Sequence, residues 1–398
     1  MSVRRGWNFL MTPGPTNIPE RIQSAISRPA LEYAGPEFLE LSLGVHEDLK
    51  KLFRTDGEVF IYSANGHGAW EAALSNTLSA GDTVLVPGTG QFSLGWSSMA
   101  ESFGVNSIYL ENDWRNAIDP AEVEDKLRQD TSHKIRAVLL VHTDTASSIT
   151  SDIPAIRRVI DAAGHPALLM VDTIASLITT EFRMDDWGVD VAVAACQKGI
   201  MMPPGMSFTA ANAKARRVGE TSQTGRNYWD WRTRRGAIHY SWYCGTGPVN
   251  MVCGLREAID MILEETLDGA AARHQRLADA TRAAVRKWGE AGTMEMNAQV
   301  DRQAANGVTS IRVDESIDID ALRNLLRDEF GVAIGHGLGL LNGKTFRIGH
   351  MGYCSEPMIL GALGSIETAF RQLGVRHGEG GIMAAVGNLA QSAGRVSI

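Results

Sequence analysis

The chain has 398 residues, enough for two or three folded units at about 150 residues each, and is 44% hydrophobic and 21% charged with a formal net charge of −8. Ordinary globular composition excludes a disordered or fibrous chain, and an acidic balance with no local basic stripe excludes a nucleic-acid partner. No apolar run reaches the roughly 18 residues of a membrane span, the start lacks the apolar stretch of a secretory signal, and four scattered cysteines (Cys196, Cys244, Cys253, Cys354) form neither a zinc pattern nor a disulfide framework.

Those exclusions predict a soluble cytoplasmic enzyme with no membrane partner and no metal. In chain order, the first twenty residues predict an extended arm, because Pro13, Pro15 and Pro19 prevent a regular helix. From about Glu20 to Ala210, β-branched runs alternate with amphipathic stretches. The predicted strands are GEVFIYSA, DTVLVPG, VNSIYLE, IRAVLLVHT, PALLMVDTIAS and VDVAVAACQ, with AWEAALSNTL, PAEVEDKLRQ and IPAIRRVIDAAG as helices between them. Such alternation implies an α/β fold whose mostly parallel sheet is covered on both faces. Residues 213–248, polar and crowded with Arg and Trp, predict a loop packed on a neighbouring subunit. A long helical segment from about Val249 to Trp288, broken near Gly269, leads into a smaller mixed region. There GVTSIRVD and KTFRIGH read as strands, and DIDALRNLLRDEF and PMILGALGSIETAFRQLG as helices. The domain change is expected near residue 265.

Three places carry chemistry. Lys198, in Cys196-Gln197-Lys198-Gly199, follows an apolar strand at its carboxyl end, the edge where open α/β sheets bind ligands. A lysine there is either a solvated turn residue or a Schiff-base amine for carbonyl chemistry. Asp172 closes the apolar run LLMV; it either caps the next helix or keeps a pyridinium nitrogen protonated, as an electron-sink cofactor requires. The two lie 26 residues apart, about one strand–helix–strand unit, so adjacent parallel strands present both at one edge. Third, Asn65-Gly66-His67-Gly68 sits between a strand and a helix, where backbone N–H groups can approach a phosphate. The turn does not complete G-x-G-x-x-G, which argues against a dinucleotide enzyme.

Taken together and in this order, these features resemble class V aminotransferases of fold type I, which use pyridoxal 5′-phosphate, and within them the serine/alanine/aspartate–glyoxylate aminotransferases. The resemblance runs from PGPTNIPE (13–20) through GHGAWEAALSNTLSAGD (66–82), GHPALLMVD (164–172), DVAVAACQKG (190–199) and GLREAIDMILEE (254–265) to GKTFRIGHMG (343–352). It implies an arm over 1–19, a large cofactor-binding domain over 20–265 with a mostly parallel seven-stranded sheet, and a smaller α+β domain over 266–398. It further implies that Lys198 forms the Schiff base and shuttles the substrate proton, and that Asp172 holds the pyridine nitrogen protonated. Phe92 would stack on the ring, Gly66, His67 and Gln197 would meet the phosphate, and Thr145 would lie near the phenolic oxygen. Tyr243 and Thr246 would reach the phosphate from the other subunit of a homodimer. Arg347 would grip the substrate carboxylate, where a bidentate fork fits. His142 and His350 read as structural, and Trp229, Trp231 and Trp242 as packing or interface.

Several segments depart from the family pattern. Glu32-Tyr33-Ala34-Gly35 stands where many relatives have Asp-His-Arg-Ser, so an arginine is missing and Tyr33 joins Arg347 as a substrate-binding candidate. Ala195-Cys196 replaces Gly-Ser. His142-Thr143-Asp144-Thr145-Ala146-Ser147-Ser148 replaces His-Asn-Glu-Thr-Ala-Thr-Gly, and Gly245-Thr246-Gly247-Pro248 replaces Tyr-Thr-Pro-Pro. These changes surround the expected substrate pocket rather than the cofactor. The expectation is ping-pong transamination from a small amino acid to a 2-oxo acid such as glyoxylate or pyruvate, with a donor or acceptor other than the family's usual one. The rivals are a lyase, desulfurase or decarboxylase on the same scaffold, and a binding protein that keeps the fold without turnover.

Overall fold

The apolar strands of the sequence assemble into one sheet of seven, in the order Glu58–Tyr62, Ser207–Ala211, Val191–Ala195, Leu168–Asp172, Ile135–Val141, Thr83–Pro87 and Asn106–Leu110. This computed structural model describes residues 6–236 and 239–392; the first five residues of the expected arm and the last six of the expected small domain lie outside that range. The three central strands are buried almost throughout, as a sheet covered on both faces requires. The seventh strand, Ser207–Ala211, was not among the predicted runs. Its sequence SFTAA is small and poor in β-branched residues, yet it runs antiparallel between Glu58–Tyr62 and Val191–Ala195, fully buried on both faces. Burial between two neighbours overrides weak intrinsic propensity.

A second sheet of five strands, ordered Phe9–Met11, Val332–His336, Thr345–Gly349, Val308–Val313 and Met294–Met296, has its own apolar core against the helices Leu267–Gly289 and Glu356–Gln372. The N-terminal arm is thus tied down by a parallel strand, Phe9–Met11 against Val332–Ile334. Two other expectations are corrected in detail. The long helical segment breaks at Thr266, three residues before Gly269. Thr266 takes φ +69° and its hydroxyl caps the second helix by accepting from the Gly269 N–H at 3.0 Å. Residues 213–248 are not all loop: Asn212 caps a helix over Ala213–Thr221, accepting from the Ala215 N–H, and a short helix spans His239–Tyr243. Among the described residues no helix is long and apolar enough to cross a membrane.

What positions the site is register. Val141, Asp172 and Val193 sit side by side on three parallel strands, so the chain leaves all three at one carboxyl edge. Beyond that edge come His142, Thr173 and, three residues after the last strand, Lys198.

Candidate active site

Lys198 and Asp172 meet in a cavity of about 320 Å3 at this edge, as the spacing predicts. Gly66, His67, Phe92, Thr145 and Gln197 line the same cavity. The lysine is only 9% exposed, and its amine donates to the Pro13 carbonyl of the arm. Burial, reinforced by the nearby Arg347, lowers its pKa to about 8, against the opposing pull of Asp172 and Asp144. Gly14 makes the close approach of the arm feasible. It takes φ +94°, and a Cβ there would fall 2.5 Å from the lysine Cδ.

Asp172 is fixed by two donors, the Ile174 N–H at 2.7 Å and the Trp70 indole N–H at 3.0 Å. Burial nevertheless pushes its carboxyl up to about 7; those two hydrogen bonds and Lys198 work against the rise. Trp70 was not among the predicted site residues. Its signal lay in the helix Gly66–Thr77, where position 70 follows Gly66 by one helical turn and so returns to the cavity side. Its ring lies 4.7 Å from His67 and meets Phe92 edge-on at 6.3 Å.

Asp144 is the second residue that sequence reasoning passed over as a site group. It is fully buried and accepts from the Phe92 and Ser93 N–H groups at 2.8 and 3.2 Å, and from Ala146 at 2.9 Å. A carboxylate at the start of the helix Gln91–Ser102 faces that helix's positive end, and so fixes where Phe92 points. Gly90 permits this, since a Cβ there would sit 2.3 Å from the carboxylate carbon. Burial raises the Asp144 carboxyl, opposed by those backbone donors and by Arg347. The available signal was a carboxylate just beyond the apolar run VLLV.

Arg347 arrives from the other sheet, on Thr345–Gly349. Its Nε donates to the His336 carbonyl at 2.7 Å and its Nη1 to the Thr145 carbonyl at 2.9 Å. Burial lowers its pKa to about 10, leaving it charged at neutral pH. The guanidinium is therefore locked in orientation between its own sheet and the turn that follows Thr143–Asp144. Asp144, Asp172, Lys198 and Arg347 form a buried set of two acids and two bases that feel one another.

The remaining predicted residues lie elsewhere. Tyr33 is half-buried with its ring 6.3 Å from Tyr240. Tyr243 is buried and shares a hydrogen bond with the Ser42 hydroxyl at 3.2 Å, and Thr246 is exposed. None of the three lines the Lys198 cavity of its own chain, and Arg347 reaches it only from behind, through the lining residue Thr145. No cysteine lines it either. Burial drives the Cys196 and Cys354 thiols up to about 12, which leaves them inert.

The residues present fit a flat, protonated heterocycle bearing an aldehyde and a phosphate. A buried amine with a depressed pKa stands near a buried acid, an aromatic ring lies beside them, and the start of a helix supplies N–H groups. Gln197 lines the cavity with its amide oxygen buried and unmatched, a polar group awaiting a partner.

Comparison with known proteins agrees with this geometry. The family described as aminotransferase class-V matches residues 20–343. The serine–glyoxylate aminotransferase of Methylorubrum extorquens is 39% identical over 94% of this chain and 93% of its own. The L-aspartate–glyoxylate aminotransferase of Paracoccus denitrificans is 37% identical over 92% of each. Among solved structures, the ureidoglycine–glyoxylate aminotransferase of Bacillus subtilis superposes with a TM-score of 0.89 at 26% identity, covering 98% of this chain and 100% of that one. The pyridoxamine–pyruvate aminotransferase of Mesorhizobium loti gives 0.87, also at 26% identity, covering 97% of each.

Proposed function

The chain belongs to the class-V aminotransferases, and on that premise we propose that it uses pyridoxal 5′-phosphate to pass an amino group from a small neutral amino acid to glyoxylate. The observation that carries this reading is that the Lys198 amine and the Asp172 carboxyl, buried side by side on the lining of one cavity, act on each other. When bound, the cofactor supplies a carbonyl for covalent attachment of amines and a ring that takes up the electron pair released at the substrate Cα.

This chain's residues do the rest. Lys198 would hold the cofactor through its Nζ, and the same amine, partly neutral, would take up and return the proton of the substrate Cα. A pKa of about 8 suits both duties, since the amine is partly neutral at working pH. Asp172, held by Trp70 and Ile174, keeps its oxygens where a ring nitrogen comes to rest. Phe92 stacks on one face, placed by Asp144. Gly66, His67 and Gln197, which line the cavity, would hold the phosphate, and Thr145 would meet the phenolic oxygen. Arg347 presents its remaining N–H groups to the substrate carboxylate, and its two carbonyl partners keep it from swinging away.

Two further assignments belong to the same proposal. The chain acts as a homodimer, with the exposed Thr246 reaching the partner's phosphate site; Tyr243 is engaged within its own chain by Ser42, and Leu43 and Tyr240 are exposed around that segment. On the donor side, Arg347 stands just behind the lining residue Thr145, and no other arginine lines the cavity or stands in Glu32–Gly35. With Arg347 engaged by the α-carboxylate, a donor carrying a second carboxylate finds no second guanidinium. The names of the relatives speak for glyoxylate as acceptor, so the altered segments bear on the donor.

A half-reaction screen tests the reading. Amino acids are added one at a time to the cofactor-loaded protein and the loss of bound-cofactor absorbance is followed. Small neutral amino acids discharge it and glyoxylate restores it; a protein discharged by none, or restored only by other oxo acids, contradicts the proposal. Release of sulfide or carbon dioxide in place of a keto acid would favour the lyase alternatives.

A further inference from the structure

The hairpin Thr143–Asp144/Ile149–Thr150 that walls the Lys198 cavity has a second side. Behind it lies a larger cavity, of about 570 Å3, within the range of small-molecule sites. We propose that this cavity is a second ligand site, built for a small amphipathic carboxylic acid whose apolar end carries a hydroxyl, and that its occupancy modulates turnover at Lys198.

Three observations define the ligand. Ile118, Leu140, Ile156 and Trp187 give the walls an apolar character suited to a flat ring or a branched chain. Two lining side chains bury polar atoms with no hydrogen-bond partner among the described residues: His142, 3% exposed, through Nδ1, and Thr180 through Oγ1. Each is a polar group buried at a cost, and a ligand hydroxyl can match either one because it both donates and accepts. The His142 ring, set edge-on to Trp187 at 6.2 Å, stays neutral, since burial lowers its pKa to about 3.

The third observation is charge. Two carboxylates line the cavity, and both are engaged. Asp152 caps the helix Ile153–Ala162 by accepting from the Ala155 N–H at 2.8 Å, and Glu181 pairs with Arg183 at 2.6 Å. Arg302, also on the lining and exposed, has no ion-pair or hydrogen-bond partner among the described residues. With Asp152 set against the helix's positive end and Glu181 against Arg183, the one uncommitted charge on the lining is positive.

The coupling route is the shared wall. Thr143 lines the Lys198 cavity, Thr150 lines the second one, and their hydroxyls meet at 3.0 Å. Asp144, next along the same hairpin, fixes the helix that carries Phe92. Arg302 and Gln303 come from the chain beyond residue 265, with Gln303 accepting from the Ala117 N–H at 2.9 Å. An occupant therefore touches both parts of the molecule that frame the active site, and can bias how they sit.

The test is calorimetric titration of the full, cofactor-loaded protein with 4-hydroxyphenylacetate, phenylacetate and 4-hydroxybenzyl alcohol. The first binds with a Kd of about 1 mM or tighter. Removing its hydroxyl or its carboxylate weakens binding about tenfold, as does Arg302→Ala. Thr180→Val erases the advantage of the hydroxyl, and Ile156→Trp, which fills the cavity, abolishes binding. Arg302→Ala, at an exposed position, keeps the test open should the larger tryptophan prevent folding. Absence of heat up to about 10 mM, or binding lost on Arg347→Ala but indifferent to Arg302→Ala, overturns the proposal; so does binding that leaves turnover unchanged.

Discussion

The two cavities flanking the Thr143–Thr150 hairpin share a wall and a sheet edge, yet they solve burial in opposite ways. Around Lys198, two acids and two bases lie buried together, and each charge has a partner of the other sign. Behind the hairpin, the interior histidine is neutral and unmatched, and the one free charge stands at the rim. Burying an isolated ion costs far more than burying a neutral polar group. Charge poised for proton transfer must therefore be kept in mutually supporting sets, whereas a site that only binds can leave a neutral group waiting.

The sharpest way to break that contrast is Lys198→Ala. Turnover falls by at least about a thousandfold, and the absorbance of covalently held cofactor disappears, while ligand titration of the second cavity is unaffected. If transamination survived, the amine would not be the tether. The wild-type amine gives a second measurement. Capture of pyridoxal 5′-phosphate by cofactor-free protein needs the neutral amine, so its rate rises with pH and levels off above about 8 rather than above the ordinary lysine value. A midpoint near that ordinary value would show that burial does not act on this lysine as the geometry requires.

Asp172→Asn comes next, with turnover reduced by about a hundredfold or more. Asp172 raises the Lys198 pKa, so its neutralisation moves the midpoint of cofactor capture below 8. A midpoint that stays in place would uncouple the pair. The mutation also alters stability with a definite sign. The carboxyl sits at about 7 in the folded protein against about 3.9 unfolded. The folded state therefore holds the extra proton between those values, and this group's contribution is full below about 3.9 and is lost as pH rises through 7. In cofactor-free Asp172→Asn that part of the pH dependence of Tm vanishes. Arg347→Ala has a smaller effect, raising the donor KM by about ten- to a hundredfold. An unchanged KM would remove Arg347 from the substrate site.

How much of each region was legible in the sequence follows from the same contrast. Lys198 and Asp172 stand out because a charged residue closing an apolar strand has few structural reasons to be there. The parallel sheet was readable from runs such as VLLV and LLMV, since strands buried on both faces lose their alternation. Ser207–Ala211 escaped because SFTAA carries no such run, and its burial is imposed by two neighbouring strands. Asp144 escaped because its partners, Phe92 and Ser93, lie about fifty residues away and offer only backbone N–H groups, which every residue has. The second cavity was invisible for a related reason. Its walls come from five stretches of chain, and each of their apolar residues reads as ordinary core.

Trp70→Phe is the mildest probe and the one that separates positioning from packing. The substitution keeps an aromatic ring in the helix Gly66–Thr77 but deletes the indole N–H that reaches Asp172 at 3.0 Å. That hydrogen bond favours the ionised carboxyl and holds the Asp172 pKa down. Its loss moves the titration of Asp172 above about 7, and at neutral pH more of the acid is protonated and unable to accept a hydrogen bond from a protonated ring nitrogen. Turnover at pH 7 should fall about three- to tenfold, the range of one ordinary hydrogen bond, and recover toward the wild-type rate as pH rises. A packing role predicts something else: a lower Tm and a rate loss of the same size at every pH. The pH profile of the variant thus decides whether the residue that sequence reasoning passed over tunes the acid or merely fills the space beside it.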